Sequence, residues 1–348
     1  MTTVSVNIPF ITGRCDFYGR NLYANTAPAV KHAYLDALLC EARALAADLD
    51  GEVDCVAFEN GAIGTIEPAK LRDFLAELKG ILPMSADCHV SAEADCGLMS
   101  TATMEELKTF GIKTLRFHYL TSDPIESEWL SRACSVGEMA KTRIVMESAG
   151  FSNFDMQILI GLAGQSEKTL LKTLRESVLS GDVRHCTLLA AAGDVAADAS
   201  QACAMFDVAK NFLLEHGFVQ YAPTCFAKPG YELAVEARRK GDDFVSLGPS
   251  SVSRLDDVMW ANSGDVDAYI SSKADPETIT QAAVELDDTM LKAQEIIGAL
   301  WAMQACDLGS CAADLGDFVS DGRLTITGCM NFDEVARRIV AAECAVAE

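Results

Sequence analysis

Hydrophobic and polar positions along the chain repeat with two alternating periods. Residues 3–8 (TVSVNI) change face at every step, as a strand does. Residues 27–50 then place Val30, Tyr34, Leu35, Leu38, Leu39 and Leu45 at helical spacing up to Gly51. VDCVAF (53–58) reads as a short apolar strand, and a helix opens at Pro68 and runs through Leu71, Phe74, Leu75, Leu78 and Leu82. DCHVSAE (87–93) is a third strand. Thr103-Met104-Glu105-Glu106 predicts a capping box for a helix stopped by Gly111. A fourth strand (112–117) leads to helical sequence ending at Gly150, a fifth (154–162) to a helix capped by Ser166, and a sixth (185–191) to a helix over 198–216 closed by Gly217.

Strand–helix units in this succession argue for a parallel sheet covered by helices. Their even spacing suits a barrel or partial barrel; periodicity alone leaves an open doubly wound sheet as the alternative. After Gly217 the pattern changes. Residues 218–230 and 242–253 read as strands with loops, 276–305 as one long helical stretch, and 321–328 lead into a terminal helix. The expected α/β architecture is a partial (β/α)6, TIM-like barrel over 1–230 with a small α+β, winged-helix-like appendage over 231–348.

Composition narrows the function classes. The chain has 348 residues, of which half are hydrophobic, and 51 acidic against 28 basic side chains give a net charge of −23. That apolar content excludes general disorder. The charge repels phosphate backbones and anionic bilayers, so neither nucleic acid nor membrane is an expected partner. No apolar run approaches the ~20 residues of a spanning helix. The opening MTTVSVNIPFITGRC has no basic segment followed by an apolar one, which predicts a cytoplasmic chain with reduced thiols. The 13 cysteines are scattered with no Cys-x-x-Cys, so they form neither a disulfide framework nor a zinc ribbon, and most are expected to be small buried hydrophobes.

In such sheets ligands sit at the carboxyl ends of the strands, here the loops 8–20, 59–68, 91–97, 118–124 and 161–166. Several of their motifs recur in order in one family. They are Ile8-Pro9-Phe10-Ile11 through Tyr18, Glu93-Ala94-Asp95-Cys96, Ala149-Gly150-Phe151 and Gly161-Leu162-Ala163-Gly164-Gln165-Ser166. Further on come Gly217-Phe218-Val219-Gln220-Tyr221, Phe226-Ala227-Lys228-Pro229-Gly230, Leu247-Gly248-Pro249 and Asp321-Gly322-Arg323-Leu324 with Thr327-Gly328. Together they resemble the radical S-adenosylmethionine (SAM) family of oxygen-independent coproporphyrinogen III oxidase and its related heme chaperone, nearly end to end. The resemblance implies a partial barrel of the radical SAM type.

The departures from that family fall on its chemistry. Its first loop supplies three cysteine thiolates to a [4Fe-4S] cluster that chelates SAM; the positions here are Ile11, Cys15 and Tyr18. Isoleucine cannot ligate iron and one thiolate cannot hold four, so neither a cluster nor another metal is expected, and the three are degenerate positions. The family's Gly-Gly-Gly-Thr-Pro stretch reads Glu59-Asn60-Gly61-Ala62-Ile63, with Glu59 adding an anion near the place of the SAM carboxylate. Its Gly-Val-Gln-Ser reads His118-Tyr119-Leu120-Thr121, an aspartate becomes Gln157, and the chaperone's His-Asn-x-x-Tyr-Trp is absent from 234–239.

What survives defines a candidate ligand site at the barrel mouth: Cys15, Glu59, Asn60, Gly61, Glu93, His118, Gln157, Gly161, Gly164 and Gln165. Glu93 keeps the place of an acidic residue that faces SAM in the family, or is a carboxylate exposed at the mouth. Gly161, Gly164 and Gln165 offer a turn into a helix N-terminus suited to an anion, or simply let the strand turn. Cys15 lies beside Arg14 and Arg20, which would make it reactive, or is a remnant thiol. A replacement metal set could draw on Cys15, Cys96 and His118, or on Cys88, His89, His185 and Cys186, although only one of two adjacent strand residues faces the interior. The expected function is that of a cluster-less pseudoenzyme, a binding protein or accessory subunit to an active relative. Its ligand would be S-adenosylmethionine, another nucleotide-like molecule or a tetrapyrrole. The alternative is a radical SAM-type enzyme of porphyrin or heme metabolism with atypical cluster ligands.

Overall fold

The computed structural model describes residues 2–13, 22–130, 135–179, 183–238 and 243–346. The six strands read from the pattern are β1 (Thr2–Asn7), β2 (Val53–Glu59), β3 (Met84–Ala94), β4 (Thr114–Leu120), β5 (Phe154–Ile160) and β6 (Val183–Ala190). They pair in parallel and in sequence order, with no reversal. That unbroken order is what distinguishes a barrel-type winding from an open doubly wound sheet.

Six later strands extend the sheet. They are β7 (Val219–Ala222), β8 (Cys225–Ala227), β9 (Asp243–Leu247), β10 (Val252–Leu255), β11 (Val258–Asn262) and β12 (Thr280–Glu285). The whole forms one 12-stranded sheet in the order β12-β11-β10-β9-β1-β2-β3-β4-β5-β6-β8-β7. β9 continues the parallel run on the free side of β1, and the strands beyond it, like β8 and β7 at the other end, are antiparallel.

The outer face of the sheet is apolar and carries the helices. Val4, Val6, Val56, Phe58, Val90, Leu115, Phe117, Met156, Ile158 and Leu188 belong to one core with helix residues such as Leu38, Phe74, Leu107 and Leu174. Each such side chain, fully buried, contributes about 1.5–3 kcal/mol. Edge-to-face ring pairs lock individual layers, such as Phe58 with Phe110 at 5.6 Å and Phe10 with Tyr34 at 5.1 Å. A second, smaller core of Ala293, Ile296, Leu300, Cys311, Leu315, Val335 and Ile339 holds the C-terminal helices Asp288–Trp301 and Phe332–Val346 together. Among the described residues no helix is long and apolar enough to cross a membrane.

Three local expectations change. The helix Thr101–Phe110 is capped by Ser100, whose hydroxyl accepts the Thr103 N–H; Thr103 is the third helical residue rather than the cap. The single helix expected over 276–305 is a turn of helix (Pro276–Ile279), then β12, then a helix beginning at Asp288 and capped by Asp287. Thr280–Glu285 contains no helix breaker; pairing with β11 makes it a strand, a case of tertiary contact overriding local pattern. Cys96 is in a disulfide, against the expectation of reduced thiols throughout.

Candidate functional site

Strand alternation that turns apolar residues outward leaves a polar inner face, and its centre is Arg116. This side chain is 2% exposed. Its Nη1 donates to Glu59 Oε1 at 2.9 Å, its Nε to Asp155 Oδ2 at 3.1 Å and its Nη2 to Glu236 Oε1 at 3.2 Å, while Glu93 Oε1 lies 3.9 Å away. The guanidinium thus joins β2, β4 and β5 to the short helix Ala234–Arg238. Desolvation works against its charge, but the four carboxylates outweigh it and hold its pKa well above the ordinary arginine value.

Each carboxylate has further partners, as buried charges require. Glu59 Oε2 accepts the Ser5 hydroxyl at 2.7 Å. Asp155 meets His185 Nδ1 at 2.7 Å and the Thr187 hydroxyl at 2.9 Å, and His185 Nε2 meets the Tyr221 hydroxyl at 2.7 Å. Burial opposes ionisation of Asp155; His185 and Arg116 overcome it and hold the carboxyl below its usual range.

Nearer the mouth, Glu93 organises a second group. Its Oε1 accepts Gln157 Nε2 at 2.9 Å and its Oε2 accepts the Gly61 N–H at 3.2 Å. His118 lies between two acids, Nδ1 at 2.8 Å from Asp95 and Nε2 at 3.5 Å from Glu93. Burial disfavours the imidazolium, yet the hydrogen bonds and charges of Asp95 and Glu93 prevail and raise its pKa. Gly61 is dictated by close approach: a Cβ there would stand 2.0 Å from the Ile8 carbonyl oxygen. Asn60 donates to Asn7 Oδ1 at 2.5 Å.

The structure therefore brings Glu59, Asn60, Gly61, Glu93, His118 and Gln157 together. Glu93 is 1% exposed, which removes its reading as a carboxylate in solvent. Glu59 does not present a bare anion to the mouth, because Arg116 and Ser5 hold both its oxygens. Gly161, Gly164 and Gln165 stand apart: Gln165 Oε1 accepts the Gly161 N–H and its Nε2 donates to the Leu159 carbonyl, so the side chain knits the turn. Gly161 and Gly164 both take positive φ, and a Cβ on Gly164 would meet the Trp129 ring at 3.1 Å. Cys15, Tyr18, Arg14 and Arg20 lie outside the described residues. Ile11 is described, and is 1% exposed.

The proposed replacement ligands are otherwise engaged: His118 by Asp95, His185 by Asp155 and Tyr221, Cys96 by its disulfide. Cys186 lies in the helix-side core, away from its neighbour His185. Among the described residues no three His, Cys, Asp or Glu side chains group to hold a metal ion.

No loop motif names Arg116, Asp155 or Glu236, while His185 stood only among the candidate metal ligands and Tyr221 only in a motif. Their signal was there: Arg116 and Asp155 interrupt the otherwise apolar strands TLRFHYL and FDMQILI.

Inside the sheet, a cavity of about 710 Å³ lies against Ser5, Asn7, Glu59 and Arg116 on one side and Trp301 and Phe332 of the C-terminal helices on the other. Val235, one of its lining residues, packs with Leu233 on Cys55 and Ala57.

No protein-family model matches the chain. It is 23% identical to the oxygen-independent coproporphyrinogen III oxidase of Bradyrhizobium diazoefficiens over 344 residues, covering 89% of this chain and 75% of that protein. It is 23% identical to the heme chaperone HemW of Mycobacterium tuberculosis, over 93% of this chain and 90% of that one. To HemW of Escherichia coli it is 20% identical, over 65% of this chain and 63% of the relative. Among solved structures, the coproporphyrinogen III oxidase HemN of Escherichia coli, a radical SAM enzyme, superimposes with a TM-score of 0.81 over 98% of this chain and 89% of that one, at 17% identity. Sequence and fold agree: the chain is a relative of the oxygen-independent coproporphyrinogen III oxidases and HemW heme chaperones, and its sheet has their radical SAM fold.

Proposed function

We propose that this chain is a cluster-less relative that binds a small molecule, tetrapyrrole or nucleotide-like, in the cavity of its sheet instead of performing radical chemistry. It would act as a binding protein or as an accessory subunit of an active relative. One observation carries the reading. At the first of the three positions that the resemblance assigns to cluster thiolates stands Ile11, a hydrocarbon side chain 1% exposed and packed into the structure. With Tyr18 at the third position, a single thiolate, Cys15, is left for a cluster that needs three or four. This donor set does not fit a [4Fe-4S] group.

The inner face supports the same reading. Glu59 is tied to Arg116 and Ser5, and Glu93 to Gln157 and Gly61, so these side chains brace the sheet as well as line its interior. The test is anaerobic reconstitution of the full chain with iron and sulfide. A colourless protein without stoichiometric iron is expected; a broad band near ~400 nm with about four iron and four sulfide per chain defeats the proposal.

A further inference from the structure

The sheet ends at β12, which has no partner on its outer side among the described strands. Residues 281–285 are exposed, Val284 to 42%. The Leu286 N–H donates to the Asp257 carbonyl across the ladder with β11. Backbone groups alternate sides along an antiparallel strand, so Ala282 and Val284 also turn theirs to β11, while those of Gln281, Ala283 and Glu285 point away from it. Natural edges are commonly blunted by lysine, proline or a bulge. The strand TQAAVE has neither residue, and the irregularity of its ladder is confined to one end, at Asn262 and Thr280.

Beside this edge lies a groove of about 470 Å³, between the helix Pro28–Ala46 and the strands β9 to β12. Its base is apolar, built of Leu45, Val245, Leu247, Trp260 and Ile279. Ala283 lines it beside its ladder partner Trp260, so only a methyl group stands between the groove and the free edge. The rim is acidic: Asp48, Asp256 and Asp257 line it and are exposed. Glu41 lines it too, but accepts from Tyr269, Asn262 and Gly248 at 2.5 to 2.8 Å and so serves the fold. Val245 and Leu247 belong to the helix-side core, so this face of the sheet is opposite the polar interior, and docking here does not depend on the proposed ligand.

We propose that β12 docks an extended segment of a partner protein, added antiparallel to the sheet, with a lysine or arginine opposite Ala283. Directly opposed residues share a face. That side chain therefore passes over Ala283 with its hydrocarbon stem on the apolar base and its charge at the three rim carboxylates. Affinity comes from the outward N–H and C=O groups of Gln281, Ala283 and Glu285, and specificity from the groove. The net charge of −23 draws a basic segment in. A second copy of this chain fits less well. Two β12 strands pair all their outward groups only with Ala283 opposite Ala283, which leaves the groove unfilled, and each copy brings the same excess of acid.

The probe is a fluorescently labelled, end-capped peptide of alternating threonine and valine with lysine at its centre, titrated into the full chain and followed by polarisation. It is expected to bind at least about tenfold more tightly than the same peptide with a central glutamate. N-methylation of the lysine and of the alternate residues on its pairing edge keeps the charge, and should weaken binding at least about tenfold. These comparisons leave the protein unaltered. The bound lysine peptide should also slow amide exchange over residues 280–285. Asp257→Lys, at an exposed rim position, should lower its affinity at least about fivefold. No saturable binding below about 1 mM, equal binding of the glutamate or N-methylated peptide, unaltered exchange over 280–285, or unchanged affinity in Asp257→Lys each overturns the proposal. Self-association in sedimentation velocity that the lysine peptide competes away gives this edge to a second copy, and overturns it as well.

Discussion

Arg116 shows how much depends on one side chain inside a sheet. It faces four carboxylates at 2.9 to 3.9 Å while almost wholly removed from water. A buried cation in this position is weak grounds for claiming added stability over an apolar interior, but its removal is severe, because it strands the charges it served. Arg116→Met is expected to destabilise the fold by about 3–5 kcal/mol at neutral pH in urea unfolding. The deficit should shrink toward pH 5, where the stranded carboxyls take up protons. Arg116→Lys should recover little of the loss, since a single ammonium cannot present the fork that reaches β2, β5 and the helix at once.

His118 gives a prediction of opposite slope. Its folded pKa lies above the ordinary value near 6.5. The stability it contributes is therefore full below about pH 6.5 and is lost as pH rises through the folded value. His118→Gln should cost about 1.5–3 kcal/mol below that pH, and the gap to the unsubstituted protein should close at alkaline pH when denaturant midpoints are compared. None of these roles could be weighed from sequence. The positions of Glu59, Glu93 and His118 were legible because they end strands, but the identity of their partners depends on which strands curve to face one another. Arg116 and Glu236 are 120 residues apart.

At the scale of elements, the apolar-to-polar rhythm was a good guide wherever a strand met a helix. Each of the six parallel strands and the helices between them lies where periodicity placed it, because one face of each is buried against the common outer core. Rhythm failed where an element owes its state to a neighbour. Thr280–Glu285 is mostly exposed and could serve a helix equally well; only its ladder with Val258–Asn262 makes it a strand. The turn after β2 is the reverse case, since its local chemistry is decisive. With a Cβ at Gly61 certain to collide with the Ile8 carbonyl, Gly61→Ala must push β1 and β2 apart and lengthen the hydrogen bond that the Gly61 N–H donates to Glu93. A loss of about 1–3 kcal/mol is expected, as for an overpacked core. Faster amide exchange should follow in residues 59–63 and 8–10 but not in the distant helix Glu167–Val178. Uniform exchange across the chain would mean that the turn does not act locally.

For the whole molecule, the resemblance of motifs along the chain anticipated the fold, since their order is the order of the strands. It could not anticipate the interior, because Glu59, Glu93, His118 and Gln157 take their partners from other strands. The net charge of −23 likewise gave no hint that an arginine sits at the centre of the inner face.

That arginine also sets a timetable. Glu59, Arg116 and Asp155 leave the ribosome early, but Glu236 follows only after Arg116 has been waiting for 120 residues, and β9 closes against β1 later still. Domains tend to fold in the order they are made, and contacts distant in sequence form slowly. The nascent chain should therefore expose a wet, charged trough until its last third arrives, when Glu236 reaches Arg116 and Leu233 and Val235 pack on Cys55 and Ala57.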